Sequence, residues 1–257
     1  GVDDLDYFTD IQQTLDGGYI VAGEVYLGMG NYRARVMKLD PEGSVMWQKS
    51  FAMAGGNVHT TVKQIADESF IVTGPTNFRG EVYYDIWTAK LDQDGNAIWQ
   101  IYIDGEDNDY SNAILQTSRG SIVIGGSTFG QGAGSTDFWV FELDGLGNIA
   151  WQRTYGGSEY DGLIGMLEAD DEGLITIGDS ESFDTTDWAI WVIKLERDGG
   201  IGSGCPDSLS TSTSADPVDV DLPLEPDVAV VQETASEVTV TDVVPRDVDI
   251  TVLSQCE

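Results

Sequence analysis

The chain has 257 residues, and its 45 acidic and 12 basic side chains give a formal net charge of -33. This excess of carboxylates excludes nucleic acid and anionic membrane surfaces as natural partners, because both bind proteins through Lys and Arg. No apolar stretch reaches the ~18 residues that a membrane-spanning helix needs, so we expect no membrane insertion. Hydrophobic residues make up 41% of the chain and glycines number 31, which is typical of a folded protein with many tight turns.

One sequence unit occurs four times along the first 200 residues. Its most regular segment recurs every 52 residues, as Lys38-Leu39-Asp40, Lys90-Leu91-Asp92, Glu142-Leu143-Asp144 and Lys194-Leu195-Glu196. Two tryptophan positions follow the same interval, Trp47, Trp99 and Trp151 in one and Trp87, Trp139 and Trp191 in the other. A glycine closes an apolar block in each copy, at Gly23, Gly74, Gly125 and Gly178. This self-similarity predicts a repeat protein.

Each copy predicts β-strands and no helix. Apolar, β-branched blocks such as residues 19–23 are typical of buried strands, and residues 85–91 alternate with the period of two that a strand requires. The Leu-Asp-x-x-Gly step predicts a hairpin turn in which Asp closes the turn and Gly takes a positive φ. In the first copy the strands are predicted at residues 7–14, 19–25, 34–39 and 45–51. Four strands in about 50 residues indicate a β-propeller blade.

The layout of residues 16–23, 87–100 and 139–157 resembles a family of secreted bacterial and archaeal β-propeller proteins. The shared motifs are Asp-Gly-Gly-Tyr-Ile-Val-Ala-Gly and Trp-x-x-Lys-Leu-Asp-x-x-Gly-Asn-x-x-Trp-Gln, and the blade layout is similar to that of kelch repeats. The resemblance implies an all-β fold, a four-bladed β-propeller with repeats at about residues 1–56, 57–106, 107–158 and 159–204. It implies no activity, because propellers host enzymes, binding platforms and scaffolds alike.

The fourth copy is incomplete, and the composition changes directly after it. Ser203 stands where the tryptophan of the last strand is expected, so the fourth blade is predicted to have three strands and an open edge that invites another strand. Residues 205–257 contain no glycine, aromatic residue or lysine. Alternating runs at 218–222, 227–230, 237–241 and 247–252 predict a strand-rich acidic extension, with a disordered stalk as the alternative.

Cys205 and Cys256 are the only cysteines, and they bracket this extension. A disulfide between them would close a loop of about 50 residues and contribute ~4 kcal/mol in the chain-entropy model. Such a bond would form in an oxidising compartment, whereas two unrelated free thiols are the alternative. The chain opens at Gly1 without a basic, apolar leader, which fits a mature secreted or cell-surface protein.

The sequence contains no recognisable catalytic arrangement. His59 is the only histidine, and an acidic pair is not diagnostic among 45 acids. Residues 92–99 resemble the sialidase Asp-box only loosely, without the arginine cluster that sialidases need. We therefore expect no enzymatic activity. Calcium is the one cofactor considered, because two turns are rich in oxygen ligands, although the same residue types are ordinary turn formers. The candidate ligands are Asp92, Asp94, Asn96, Asp104, Asp107 and Asp109.

Together these features predict a non-enzymatic extracellular structural protein whose partner is another copy of itself. The extension would donate a strand to the open edge of a neighbour's fourth blade and so build a fibre or surface layer. In one alternative the extension completes its own blade within a monomer. In another, the protein is a cell-surface module that binds carbohydrate or Ca²⁺.

Overall fold

The computed structural model describes residues 6–26, 31–54, 59–77, 82–182, 188–202, 210–212, 217–219 and 224–225. These residues form β-strands and turns only, which confirms the all-β prediction. Within the described ranges, no helix has the length and apolar character needed to cross a membrane.

Four antiparallel sheets follow one another along the chain, each built from consecutive strands joined by turns. Sheet 1 contains β1 (Asp6–Gln13), β2 (Tyr19–Tyr26), β3 (Asn31–Leu39) and β4 (Val45–Ala54). Sheet 2 contains β5 (Thr61–Gln64), β6 (Phe70–Thr76), β7 (Asp85–Leu91) and β8 (Ala97–Ile103). Sheet 3 contains β9 (Asp109–Gln116), β10 (Ile122–Thr128), β11 (Asp137–Leu143) and β12 (Ile149–Tyr155). Sheet 4 contains β13 (Asp161–Glu168), β14 (Leu174–Ser180) and β15 (Ala189–Leu195).

The strand registers repeat from sheet to sheet and correct one position of the sequence alignment. The sequence alignment placed Gly125 at the position of Gly74 and Gly178. In the structure Gly126 occupies this position, because Trp139 pairs with Gly126 as Trp87 pairs with Gly74 and Trp191 with Gly178. The reason is steric. A bulge in β9 brings its backbone against β10, and a Cβ on Gly126 would lie 1.8 Å from the Tyr110 carbonyl oxygen. Because Gly125 and Gly126 are adjacent, the sequence alone did not show which of them occupies this position.

The predicted hairpin turns are confirmed in all four sheets. In sheet 2, the Asp92 N–H donates to the Asn96 carbonyl at 2.8 Å, and the Gly95 N–H donates to the Asp92 carbonyl at 3.0 Å. The glycine of this turn has φ between +76° and +88° in every copy, a region that side-chain-bearing residues rarely adopt. These glycines are Gly43, Gly95, Gly147 and Gly199.

The hydrophobic cores lie between consecutive sheets, so that four sheets share three cores. The first joins Ile20, Ala22, Ala34, Val36 and Phe51 of sheet 1 to Val62, Phe70, Val72, Trp87, Ala89 and Leu91 of sheet 2. Equivalent positions form the second core between sheets 2 and 3 and the third between sheets 3 and 4. We call the side of a sheet that packs on the preceding sheet its leading face, and the opposite side its trailing face. Among the described strands, no comparable packing joins sheet 4 to sheet 1.

The described part of the extension runs across the outer edges of three sheets. The short strands β16 (Ser210–Ser212), β17 (Pro217–Asp219) and β18 (Leu224–Glu225) pair with β12, β8 and β4. Among the predicted runs, 218–222 overlaps the described strand β17, whereas β16 and β18 lie outside the predicted runs. The runs at 227–230, 237–241 and 247–252 lie outside the described residues. The expected destination of these first strands was wrong, because they add a fifth strand to sheets that already have four. The physical reason is that β4, β8 and β12 each end a sheet and present free backbone groups.

Within the described residues, sheet 4 lacks a fourth strand, as the sequence predicted. Its three strands are followed only by a single bridge between Leu195 and Ile201, at the place where the fourth strand of each other sheet begins. Within the described residues, no strand of the extension pairs with β15.

Candidate functional site

The inner tryptophans are structural residues of the three cores. Trp87 and Trp139 are fully buried and Trp191 is nearly so. Trp87 packs against Phe51 of the preceding sheet with ring centroids 4.8 Å apart, and Trp191 packs against Phe138 at 4.9 Å. These side chains hold consecutive sheets together and leave no indole free for a ligand.

The outer tryptophans, Trp47, Trp99 and Trp151, cover the hairpin turn of the following sheet. The Trp47 ring lies against Gly95, where an added Cβ would stand 2.8 Å from it, and its Nε1–H donates to the Gln93 carbonyl at 2.8 Å. Trp151 lies over Gly199 in the same way. The recurring Trp and Gly therefore form one contact between neighbouring sheets.

An ion pair recurs in every sheet, with its charges reversed in sheet 3. Its basic side chain is buried or half-buried in sheets 1 and 2, as is its arginine in sheet 3, whereas the pair in sheet 4 is exposed. Lysine donates to aspartate in three sheets, and in sheet 1 the hydrogen bond from Lys38 lowers the pKa of Asp16 to about 2. In sheet 3, arginine occupies the aspartate position and glutamate the lysine position. The pairs are Lys38–Asp16 at 2.8 Å, Lys90–Asp67 at 2.7 Å, Arg119–Glu142 at 3.3 Å and Lys194–Asp171 at 2.6 Å. These charges stabilise the repeat instead of forming a binding site.

The first candidate calcium turn uses its oxygens internally. Asp92 Oδ1 accepts hydrogen bonds from the N–H groups of Asp94 and Asn96 at 3.0 and 2.8 Å, while Oδ2 accepts one from Asn96 Nδ2 at 3.0 Å. Burial raises the pKa of Asp92, but the hydrogen bonds from Asn96 outweigh it and leave the pKa below its usual value. The same closure recurs at Asp144 and Asn148, which marks it as turn chemistry.

The second candidate turn contains one carboxylate in an unusual environment. Asp104 and Asp107 accept hydrogen bonds from nearby backbone N–H groups, whereas Asp109 is fully buried at the start of β9. The Gly105 N–H donates to Asp109 Oδ2 at 2.8 Å, but Oδ1 has no hydrogen-bond partner. Burial raises the pKa of Asp109 to about 8; a Thr128 hydrogen bond opposes the shift, and the charge of Asp85 adds to it.

A matching pair of buried carboxylates, which the sequence analysis missed, lies where sheets 3 and 4 meet. Asp137 Oδ2 accepts from the Gly134 N–H at 3.0 Å, and Asp161 Oδ2 accepts from the Gly157 N–H at 2.7 Å. Burial, reinforced by the charge of Asp161, raises the pKa of Asp137 to about 6. Oδ1 of each carboxylate has no hydrogen-bond partner. The available signal was the recurrence of Asp before two strands at the 52-residue interval, at Asp85 and Asp137 and at Asp109 and Asp161.

Apolar faces are exposed at both ends of the row of sheets. Ile11 on the leading face of sheet 1 is 64% exposed, whereas its equivalent in sheet 2, Val62, is 2% exposed. Ile177 on the trailing face of sheet 4 is 42% exposed, although its equivalents Ala22 and Thr73 are fully buried. An open groove of about 580 Å³ runs along the sheet 1 face, lined by Phe8, Ile11, Val21, Met37 and Leu39.

His59 and the two cysteines are the remaining residues that the sequence analysis considered. His59 is exposed, and the described part of the chain contains no group of three or more side chains suited to a metal ion. Cys205 and Cys256 lie outside the described residues. No protein-family model matches the chain, and no curated protein matches it either. The open edge of sheet 4 and the two apolar end faces are therefore the principal candidate interaction surfaces.

Proposed function

We propose that this protein is a non-enzymatic extracellular structural protein that assembles with copies of itself into a fibre or surface layer. The supporting observation is strand addition: three outer sheet edges are occupied by the extension, and the edge of sheet 4 is left for another strand. Backbone pairing of this kind needs no large side chains, which suits an extension rich in Val, Asp and Thr.

The spacing of the extension supports donation to a neighbour. The centres of β16 and β17, at residues 211 and 218, are seven residues apart, and β18 begins six residues later at Leu224. The next alternating run, residues 227–230, begins three residues after Leu224 and is the next candidate strand along the chain. The extension crosses sheets 3, 2 and 1 in that order and therefore moves away from its own sheet 4. We propose that residues 227–230 pair with β15 of a neighbouring copy.

The four sheets are, on this proposal, blades of a β-propeller, in keeping with the repeat length and the packing of consecutive sheets. The sequence predicts a single four-bladed ring over residues 1–204, which requires sheet 4 to pack on sheet 1 of the same chain. No comparable packing joins these sheets among the described strands, and such a ring is the alternative to packing between copies. The disulfide between Cys205 and Cys256 and the secreted location are likewise predictions. Non-reducing peptide mapping of the protein purified from its native compartment tests both.

Truncation tests strand donation directly. A chain ending at Glu225 keeps the three described extension strands and lacks the proposed donor. We expect the full chain to form polymers in light scattering and electron microscopy, and the truncated chain to remain folded but to assemble much more weakly. A second truncation after Gly204 serves as a control for loss of the strands on sheets 1–3. A full chain that stays monomeric at high concentration would refute the proposed function.

A second candidate function, binding of Ca²⁺ or carbohydrate, is supported by two observations. Asp109 Oδ1 is buried without a partner, as a cation ligand in an empty site would be. Trp188 is 59% exposed and lies beside Tyr160, with ring centroids 4.9 Å apart and ring planes tilted by 52°, and an exposed indole is suited to contact with a sugar ring. Calorimetry with CaCl₂ and a glycan array on the Glu225 truncation would detect either activity independently of assembly.

A further inference from the structure

The two exposed end faces are the two halves of a fourth core. Each interior core combines a trailing face with the leading face that follows it, and the registers identify the equivalent residues at the ends of the row. The trailing face of sheet 4 presents Ile175, Ile177, Ile190 and Val192 at the positions of Ile20, Ala22, Ala34 and Val36. The leading face of sheet 1 presents Ile11, Tyr19, Val21, Met37 and Leu39 at the positions of Val62, Phe70, Val72, Ala89 and Leu91. Apart from Val21, these end-face residues are half-buried or exposed.

The face of sheet 4 is more apolar than an exposed face requires. Ile164 and Leu167, both more than half exposed, belong to it as well. Ile164 occupies the position of Thr9, whose hydroxyl donates to the Thr60 carbonyl, and Leu167 that of Gln12, whose side chain accepts from the Gln64 N–H. Large aliphatic side chains at such positions are typical of a permanent interface, which resembles a core cut in half.

Sheet 1 also lacks the tryptophan that would contact a fourth strand in the preceding sheet, and sheet 4 has no such strand among the described residues. In the first core, Trp87 packs against Phe51, which belongs to the last strand of the preceding sheet. Sheet 1 has Arg35 in place of this tryptophan. Sheet 4 has Ser203 in place of the outer tryptophan, and correspondingly a Cβ added to Gly43 of sheet 1 would meet no atom within 4 Å. The leading face of sheet 1 therefore fits a preceding sheet that has three strands, and sheet 4 is such a sheet.

We propose that the leading face of sheet 1 packs on the trailing face of sheet 4 from a second copy of this chain. A second copy is the occupant because each end face carries the residues that would complete a core with the other, while among the described strands the two faces of one chain remain apart. The contact is heterologous, so it closes into a ring of two copies with eight sheets or continues as a filament. This inference rests on the proposed self-assembly and names the surface responsible, which differs from the strand edge of β15.

Complementary variants test the inference. Ile11→Asp disables the sheet 1 face and Ile177→Asp disables the sheet 4 face, both at exposed positions where the isolated chain tolerates a charge. We expect each variant alone to associate roughly a hundredfold more weakly than the unmodified chain, because a carboxylate would be buried without a partner. Mixing the two variants leaves one intact face of each kind and should produce a 1:1 dimer in analytical ultracentrifugation. Ile98→Asp, at an Ile 56% exposed in β8 away from both faces, is the matched control.

Each outcome has a separate meaning. Monomeric single variants, a 1:1 dimer in the mixture and an unaffected control support the inference. Association that is unchanged in both variants but lost on truncation after Glu225 overturns the inference and leaves strand donation in place. An unmodified chain that is monomeric, and whose mass these variants do not change, overturns both the contact between end faces and strand donation. It indicates that sheet 4 packs on sheet 1 within one chain. If circular dichroism shows that an Asp variant is unfolded, the neutral polar variant at the same position, Ile11→Asn or Ile177→Asn, replaces it.

Discussion

The buried carboxylate of Asp109 predicts that the protein becomes less stable as the pH rises through neutrality. Its pKa is about 8 in the folded state, against an ordinary value of 3.8. Between these two values the folded protein holds a proton that the unfolded chain has released. The free energy of unfolding then falls by about 1.4 kcal/mol per pH unit, or about 4 kcal/mol between pH 4 and pH 7. The stabilisation is complete below pH 4 and is lost progressively up to pH 8.

Asp109→Asn removes this proton uptake while keeping an oxygen that can accept from the Gly105 N–H. We expect the variant to gain stability relative to the unmodified protein as the pH rises, by about 1.4 kcal/mol per unit between pH 5 and pH 8. Urea unfolding followed by tryptophan fluorescence at each pH, in the presence of a chelator, measures this difference. Asp94→Asn, which removes one charge from an exposed turn, is the matched control.

Two results would refute this reasoning. A difference between Asp109→Asn and the unmodified protein that is constant from pH 5 to pH 8 would show that Asp109 is ionised in the folded state. A difference that is constant above about pH 4 and changes only at lower pH would show that its pKa lies below the ordinary value, as it would with a bound cation. Repeating the series with CaCl₂ separates these cases, because a cation bound at Asp109 would abolish the slope only when calcium is present.

Three further predictions concern the repeat and its assembly. Gly126→Ala should destabilise the fold by at least about 2 kcal/mol in urea unfolding, because its Cβ would collide with the Tyr110 carbonyl, whereas Gly145→Ala, with open space around it, should be neutral. Arg119→Asp should cost about 1 kcal/mol by placing a carboxylate beside Glu142, and adding Glu142→Lys should restore most of the loss, since the double variant copies the other three sheets. Self-association should strengthen between 20 and 300 mM salt, roughly the range over which screening becomes effective, because copies with a net charge of -33 repel one another; light scattering that falls with salt would contradict an apolar interface.

Most of the repeat could be predicted from the sequence because its signals are local. The 52-residue interval, the period-two alternation and the turn glycines each depend on a few neighbouring residues, and they correctly located the strands, the hairpin turns and the incomplete fourth sheet. The offset between Gly125 and Gly126 was missed because a bulge in a different strand decides which glycine must lack a side chain.

The interaction surfaces could not be predicted in the same way because they depend on contacts between distant segments. The sequences of β1 and β14 look like those of the equivalent strands in the other sheets, and only the packing of consecutive sheets shows that no described sheet covers Ile11 and Ile177. The exchange of charges at Arg119 and Glu142 is visible in the sequence only after the structure pairs the two positions. The path of the extension was also missed, because short alternating runs do not specify which open edge they join.

The two surfaces proposed for assembly are compatible with each other because they occupy different directions on sheet 4. Hydrogen bonds to the edge of β15 lie in the plane of the sheet, whereas Ile177 and its neighbours project perpendicular to that plane. A neighbouring copy whose sheet 1 packs on this face would bring its extension, which leaves the described region at the outer edge of sheet 1, close to the open edge of the same sheet 4. Packing of the face therefore raises the effective concentration of the donor strand, and each contact strengthens the other without any further interface. This coupling explains how strands of two or three residues, too short to hold a complex by themselves, could contribute to a stable assembly.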